Sequence, residues 1–214
     1  MPRGGDPPLS ELALLGEGSL LALSGIGRAA ATAAAQALVD AGASSLMTFG
    51  MAGGLDPNLK PGSVVIPGEV LLAEGGRYTT SRAWREQVAA AISPLCAVSE
   101  GNLLTSTHAI ETPAEKAAAF RDTGAAAVDM ESAAVAEIAA KHHLPFIAVR
   151  VIVDTAADVL PRAVVAASRL GRVRFGRLIG GLILAPREIG SLVRLAQRYR
   201  IAMRSLRVVG AHLA

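Results

Sequence analysis

The stretch that most constrains the fold is residues 128–158, where an alanine-rich helical pattern is followed by an apolar run. The run, residues 146–153, is nearly continuous, as in a strand that is covered on both faces of a parallel sheet. Glu131 stands at the entrance of the helical pattern, and Asp154 follows the run directly. Helix followed by strand brings these two acidic residues toward one edge of a sheet. A carboxylate after a buried strand, facing another at a helix N-terminus, is a plausible acid and sugar-binding pair.

Strand and helix patterns alternate along the chain, which predicts a single-domain, three-layer α/β/α fold with a mostly parallel, twisted central sheet. The clearest helix start is Thr112-Pro113-Ala114-Glu115, with a threonine cap, a proline at the first helical position and a glutamate at the third. The predicted helices cover residues 28–40, 82–92, 112–122, 131–143 and 189 onward. The predicted strands cover residues 20–23, 46–49, 63–67, 103–104, 128 and 146–153.

Composition narrows the class of protein. Of the 214 residues, 51% are hydrophobic, so the chain can form a substantial core. The single cysteine, Cys96, excludes an internal disulfide framework and suits a reducing compartment. Residues 1–10 are polar and rich in glycine and proline, unlike a secretory signal, and no apolar run reaches about 18 residues. We therefore expect a cytoplasmic protein.

Charge divides the chain into two unequal parts. Residues 1–160 contain 10 Lys+Arg and 17 Asp+Glu, a net charge of −7, whereas residues 161–214 contain 11 arginines and one acid, a net charge of +10. We therefore expect an α/β domain at residues 1–160 and an arginine-rich helical C-terminal arm at residues 161–214. Such asymmetry is typical of a tail that meets an anionic surface, either membrane or nucleic acid.

The helical pattern from residue 189 onward has two interpretations. Apolar side chains recur at three- and four-residue spacing, and arginines form a second stripe roughly opposite. The helix either lies on anionic lipid headgroups, as a peripheral contact at the inner membrane, or packs on the sheet with solvated arginines. Nucleic acid is not an expected partner, because only 3% of the residues are aromatic and no known nucleic-acid-binding motif is present.

Two glycine-rich motifs follow apolar runs. Residues 25–30 match G-x-G-x-x-A, a dinucleotide-binding pattern, but the next strand ends in Gly50 without the acid that would hold a ribose. Tight packing between a strand and a helix is the favoured interpretation of this motif. Residues 50–54 are predicted to form a loop whose backbone N–H groups face an anion or a sugar.

Other catalytic and metal-binding signatures are absent from the sequence. His142 and His143 are most simply cations at a helix C-terminus, and His108 lies on a predicted loop where it could touch a ligand. No spacing of Cys, His and Asp indicates a metal site, and no G-x-S-x-G indicates a serine hydrolase.

Five motifs in order resemble the purine nucleoside phosphorylase / methylthioadenosine nucleosidase superfamily. The likeness covers about residues 20–160, and the arginine-rich tail looks most similar to the hopanoid-associated branch, which is thought to release adenine from adenosylhopane. The motifs are Gly25-Ile26-Gly27-Arg28, Gly50-Met51-Ala52-Gly53-Gly54-Leu55, Lys60-Pro61-Gly62-Ser63-Val64-Val65, Val128-Asp129-Met130-Glu131 and Arg150-Val151-Ile152-Val153-Asp154.

The resemblance implies a nucleoside phosphorylase-like fold, cleavage of an N-glycosidic bond to adenine, and a role for each matching residue. Asp154 would give or share a proton with purine N7, and its apolar surroundings would raise its pKa. Glu131 would bind the ribose 2′- and 3′-hydroxyls near the developing positive charge. The remaining implied residues are Met130, Ala109, Ile110 and Val153 around the ribose and purine, and Arg150, Gly50, Met51 and Ala52 around the nucleophile or anion. No cofactor is implied, phosphate is a possible co-substrate, and a homo-oligomer is expected.

The sequence departs from the family pattern at two places. Thr48 and Met51 stand near the positions where the phosphorylases hold phosphate, and a thioether binds phosphate poorly, which favours hydrolysis. The family opens with a strand that carries an acidic residue, and residues 1–18 do not fit that strand, although Glu11 or Glu17 could substitute. The alternative function is a non-catalytic homologue that binds purine nucleosides or membranes.

Overall fold

The computed structural model describes residues 12–15, 18–160 and 189–213. Within these ranges the strands are β1 (Leu12–Leu15), β2 (Ser19–Ala22), β3 (Leu46–Gly54), β4 (Val64–Val65), β5 (Glu69–Leu72), β6 (Arg77–Thr79), β7 (Val98–Ser99), β8 (Leu103–Thr105), β9 (Ala127–Asp129) and β10 (Phe146–Asp154). The helices in the same ranges are α1 (Arg28–Asp40), α2 (Arg82–Ile92), α3 (Pro113–Thr123), α4 (Ser132–Lys141) and α5 (Ile189–Leu213).

Eight of these strands form one mixed sheet in the order β6-β5-β8-β9-β3-β10-β4-β7. Four of its seven neighbouring pairs are parallel: β5 with β8, β8 with β9, β3 with β10, and β4 with β7. Strands β1 and β2 form a separate antiparallel hairpin. The predicted α/β fold with a mostly parallel central sheet is confirmed.

The strand β10 buries side chains on both of its faces, which explains its nearly unbroken apolar sequence. Phe146, Ala148 and Ile152 join a hydrophobic cluster that includes residues of α1 and α4. Ile147, Val149 and Val151, which alternate with them, join a second cluster that includes residues of α2 and α5. Helices therefore cover both faces of the sheet, and the molecule has the three predicted layers.

The C-terminal helix α5 packs on the body of the protein. Ala202 and Val209 are 0% exposed and lie in the cluster formed with β10. A Cβ atom on Gly62 would come within 2.9 Å of Ile201 Cγ2 and of Ser205 Oγ, so the turn after Pro61 touches α5 directly. Of the two interpretations of this helix, the structure shows packing of the apolar stripe on the sheet.

The arm as a whole is described only in part. The arginines at positions 194, 200, 204 and 207 are exposed. No helix in the described ranges is both long enough and apolar enough to cross a bilayer. The apolar run at residues 178–185 lies outside the described residues, and the division at residue 160 stays a prediction.

The glycine-rich segment is not a loop, and that prediction is wrong. Residues 50–54 continue β3, which pairs with β10 from Leu46 opposite Phe146 to Ala52 opposite Ile152. The long partner strand supplies hydrogen bonds to every second residue, and this outweighs the weak strand propensity of glycine. The short strands β5, β6 and β7 were not predicted, because segments of two to four residues carry too little periodicity.

The predicted start of α3 is confirmed in detail. Thr112 Oγ1 accepts a hydrogen bond from the Glu115 N–H at 3.2 Å, and Glu115 Oε2 accepts one from the Thr112 N–H at 2.9 Å. This reciprocal pair satisfies two N–H groups that the first turn of a helix leaves without backbone partners. The helix ends at Gly124, whose φ of 65° is left-handed.

Candidate active site

Asp154 lies at the end of β10 and is 4% exposed. An irregularity in the pairing between Ile152 and Asp154 sets Asp154 opposite Gly53 of β3. A Cβ atom on Gly53 would lie 3.2 Å from Asp154 Oδ2, so the glycine leaves the space that the carboxyl occupies. Burial raises the pKa of the Asp154 carboxyl, as predicted from its apolar neighbours, and the ammonium of Lys116 acts in the opposite direction.

Lys116 of α3 is 0% exposed and forms an ion pair with Asp154 Oδ2. Its Nζ also donates to the carbonyl oxygens of Thr155, at 2.8 Å, and Asp158, at 3.1 Å. Three acceptors match the three N–H groups of an ammonium, so the buried charge is fully hydrogen-bonded. The sequence reasoning missed this residue. The capping box could have indicated it, because it fixes the residue at which α3 begins. Lys116 then shares a helix face with Ala119 and Phe120, three and four residues later, and these two side chains pack inward.

Hydrogen bonds within the segment after Asp154 and an ion pair with α5 determine its conformation. Asp158 Oδ2 accepts hydrogen bonds from the N–H and the hydroxyl of Thr155, both at 2.8 Å. The same carboxylate forms an ion pair with Arg198 of α5. The turn at residues 154–158 therefore connects β10, α3 and α5, and its shape is set by tertiary contacts.

The segment with Ala109 and Ile110 lies beside this turn. The N–H of Leu160 donates to the carbonyl oxygen of Glu111 at 2.9 Å. Ile110 packs, partly buried, against a cluster that contains Val128 and Leu55. The structure thus brings the predicted purine-lining segment close to the chain that follows Asp154. Val153, also predicted near the ligand, packs against the cluster on the α2 and α5 face.

Glu131 is the N-cap residue of α4, but its side chain does not cap that helix. Oε1 accepts a hydrogen bond from the Gly27 N–H at 2.9 Å, and Oε2 accepts one from the Met130 N–H at 3.2 Å. Burial raises the pKa of Glu131, while the Gly27 hydrogen bond and the charge of Arg150 act against the increase. The G-x-G-x-x-A turn therefore presents a backbone amide to a candidate catalytic carboxylate.

Arg150 stands at the centre of a buried polar cluster between the sheet and α4. Its Nε donates to Asp129 Oδ2 at 2.8 Å, and its Nη2 donates to Thr48 Oγ1 at 2.7 Å and to Ser132 Oγ at 2.9 Å. Asp129 also accepts hydrogen bonds from the Thr105 hydroxyl, at 2.8 Å, and the Ser132 N–H, at 3.1 Å. The cluster fixes the start of α4, where Glu131 lies.

The other residues of the predicted anion group separate in space. A Cβ atom on Gly50 would lie 2.9 Å from Arg150 Nη1, so this glycine gives the guanidinium its room. Ala52 is buried in the cluster beneath α1 and α4, whereas Met51 packs on the opposite face of the sheet. The structure brings Gly50 to Arg150, and it does not bring the side chains of Met51 and Ala52 together.

Met130 borders a small cavity of about 20 Å³, room for roughly one water molecule. Arg28 and the polar residues 105–107 also line it. Neither Asp154 nor Glu131 lines this cavity, which lies beside Met130.

The two candidate carboxyls stand on opposite sides of β3. Asp154 pairs with Gly53, and Gly53 pairs with Val128 of β9, three residues before Glu131. β9 ends at Asp129, and Glu131 follows it as the N-cap residue of α4. Asp154 thus ends β10, whereas Glu131 follows β9, which runs antiparallel to β3, and these two carboxyls on an α/β sheet are the candidate active-site groups.

The sequence profile of the phosphorylase superfamily matches residues 12–183. The chain belongs to that superfamily, which confirms the predicted family and the predicted class of enzyme, one that cleaves nucleoside N-glycosyl bonds. No curated protein sequence matches the chain significantly.

Solved structures with the same fold include a nucleosidase and a hydrolase. A 5′-methylthioadenosine/S-adenosylhomocysteine nucleosidase from Neisseria meningitidis, in complex with methylthio-immucillin-A, is 20% identical with a TM-score of 0.62, covering 95% of this chain and 90% of that one. A futalosine hydrolase from Helicobacter pylori is 16% identical with a TM-score of 0.62, covering 91% of this chain and 88% of that one.

A third structure has adenine bound. This 5′-methylthioadenosine/S-adenosylhomocysteine nucleosidase from Colwellia psychrerythraea is 23% identical with a TM-score of 0.59. The match covers 69% of this chain and 74% of that one. At these identities, the three structures establish the fold.

Proposed function

We propose that the protein releases adenine from a 5′-substituted adenosine by breaking its N-glycosidic bond. The observation that carries the proposal is the Asp154 carboxyl, which is buried at the end of the central strand and held by Lys116. A carboxyl in such surroundings retains a proton more readily than one in water, as a general acid requires. The adenosine-type nucleosidases that share the fold support the choice of adenine as leaving group.

The chemistry assigns a separate role to each carboxyl. As the C1′–N9 bond breaks, its electron pair passes to the purine, and Asp154 gives its proton to N7. Positive charge then develops on the ribosyl group, and the Glu131 carboxylate stabilises it while binding the ribose hydroxyls. Each Glu131 oxygen accepts one backbone amide, and a carboxylate oxygen has a second lone pair for a hydroxyl.

Water is the favoured nucleophile. Arg150 already donates to Asp129, Thr48 and Ser132, so much of its hydrogen-bonding capacity is used within the protein. Met51, at a position where related phosphorylases hold phosphate, packs into the hydrophobic cluster beside α5. Both observations favour hydrolysis over phosphorolysis, and phosphate remains a co-substrate to be tested.

Adenosylhopane is the substrate that we propose among the 5′-substituted adenosines, because the exposed arginines of α5 suit a lipid-linked nucleoside. The apolar face of α5 is occupied by the sheet, so contact with an anionic membrane would be electrostatic and peripheral. The protein would then work at the inner membrane.

The decisive experiment measures adenine released from adenosine, methylthioadenosine and adenosylhopane, with and without phosphate. A free ribosyl product indicates hydrolysis, and a ribosyl 1-phosphate indicates phosphorolysis. Replacing Asp154→Asn should reduce kcat by about 100-fold or more, because general acid catalysis contributes that much. The matched control, Asp122→Asn, changes an exposed aspartate at the end of α3 and should leave kcat unchanged. An unchanged rate in Asp154→Asn contradicts the proposed mechanism.

A non-catalytic nucleoside-binding homologue is the second candidate. The observation that favours it is that both Glu131 oxygens already accept hydrogen bonds from backbone amides, which uses part of their capacity to accept hydrogen bonds from a ribose. Calorimetric binding of adenosine without any release of adenine would establish this function in place of catalysis.

A further inference from the structure

Lys116 is a buried cation that touches the proposed acid Asp154. A lysine with no exposed surface loses most of its hydration, and burial of this kind is tolerated only with a full set of hydrogen bonds. Lys116 meets that condition through Asp154 Oδ2 and the carbonyl oxygens of Thr155 and Asp158. All three acceptors belong to the turn that carries the proposed acid.

The contacts of Lys116 orient the Asp154 carboxyl. The ammonium holds Oδ2, while the backbone of Gly53 lies close to the same carboxyl on the side of β3. Oδ1 is the oxygen that the ammonium does not hold. Among the described residues, the other charged groups facing this turn are Asp158, from the turn itself, and Arg198, from α5, which form an ion pair with each other.

We propose that Lys116 is a positioning residue that aims Asp154 at the purine and stabilises the carboxylate left after proton transfer, an inference that rests on the proposed function. When the C1′–N9 pair passes to the purine, Asp154 gives its proton to N7 and becomes a carboxylate beside the ammonium. The water that adds to C1′ releases a proton, which restores the carboxyl. Burial favours the protonated acid, and Lys116 favours its conjugate base, so the two together set the acid strength of Asp154.

The pH profile of kcat/KM tests this role, because Lys116→Met removes the cation while keeping much of the side-chain volume. Without the cation, Asp154 retains its proton to higher pH. The pH above which kcat/KM falls, the alkaline limb of the profile, should increase by about 1 pH unit or more, since an opposite charge shifts a carboxyl pKa by about 1–3. Lys116→Arg should retain the wild-type limb, and Lys141→Met, at an exposed position on α4, is the matched control. A lower rate with an unmoved limb in Lys116→Met would show a merely structural role and overturn the proposal.

A measurement without substrate separates this proposal from the proposed function. The carbon-13 signal of the Asp154 carboxyl, followed against pH, should show a higher midpoint in Lys116→Met than in the wild type. In the wild type, the nitrogen-15 signal of the Lys116 side chain should change at the same pH midpoint as the Asp154 carboxyl signal. This second measurement does not depend on whether a variant folds. Independent titration of the two signals contradicts the proposal. Failure of the wild type to release adenine contradicts only the proposed function.

Discussion

At the scale of single residues, the candidate site depends on close approaches that glycine permits. Gly53 leaves space for the Asp154 carboxyl, and Gly50 leaves space for the Arg150 guanidinium. The sequence predicts a loop here that faces an anion or a sugar, whereas in the structure these glycines are strand residues that make room for charged side chains. The glycines indicated that something approaches the backbone closely at this segment. They could not show whether the segment is a loop or a strand, because glycine is compatible with both conformations.

The ionisation of Glu131 gives a prediction about stability. Burial raises the pKa of Glu131 in the folded protein, so the folded state binds this proton more tightly than the unfolded state. The contribution of Glu131 to the free energy of unfolding therefore decreases as the pH rises from the unfolded to the folded pKa. Glu131→Gln, which is neutral throughout, should be more stable than the wild type at neutral pH and should lose that advantage toward acidic pH.

Urea unfolding at neutral pH and near the ordinary carboxyl pKa measures this difference, and adenine release measures its functional cost. Glu100→Gln changes an exposed glutamate and should alter neither stability nor activity appreciably. A Glu131→Gln protein that is less stable than the wild type at neutral pH would show that the charged carboxylate stabilises the fold.

At the scale of elements, α3 carries both the clearest local signal and the residue that the sequence analysis missed. The capping box at Thr112 and Glu115 is local in sequence and was predicted correctly. Lys116 follows directly, yet its partners are Asp154 and two carbonyl groups about 40 residues farther along the chain, with separations of 38 to 42. Local propensity positions the helix, and only tertiary packing brings its lysine to these partners.

Removal of the cap should measure how much the local signal contributes. Thr112→Ala removes the acceptor for the Glu115 N–H and should lower the free energy of unfolding by about 1 kcal/mol. Ser81→Ala is the matched control, because Ser81 is also an N-cap residue, of α2, but makes no side-chain capping bond. Denaturant unfolding of the three proteins provides the comparison, and equal losses in both variants would contradict the assigned role of Thr112.

At the scale of the whole molecule, the bipolar charge has a structural counterpart in α5. The apolar face of the helix completes the layer over β10, and its exposed arginines face outward. The helix is therefore part of the body of the protein and at the same time presents a basic surface. Arg198 contributes to the first role, because its ion pair with Asp158 joins α5 to the turn that follows Asp154.

Binding to anionic vesicles tests the proposed peripheral contact. Vesicles that contain phosphatidylglycerol should sediment the protein at low salt, and added salt should release it. Reversing three exposed arginines, Arg200→Glu, Arg204→Glu and Arg207→Glu, should weaken binding by about 100-fold or more, at about 1 kcal/mol for each lost cation. A protein with Arg77→Glu and Arg82→Glu reverses charge elsewhere on the surface and should bind like the wild type. Equal binding to phosphatidylcholine vesicles would contradict an electrostatic contact.

The sequence by itself determined the layered α/β fold, the positions of the main helices, the family and the two candidate carboxyls. These follow from periodicity, capping and short motifs, all of which act between residues close together in the chain. The tertiary structure alone decided that the glycine-rich segment is a strand, that Glu131 accepts the Gly27 amide and that Lys116 holds Asp154. Each of these depends on groups far apart in sequence, whose interaction is strong because burial removes the water that would otherwise screen it.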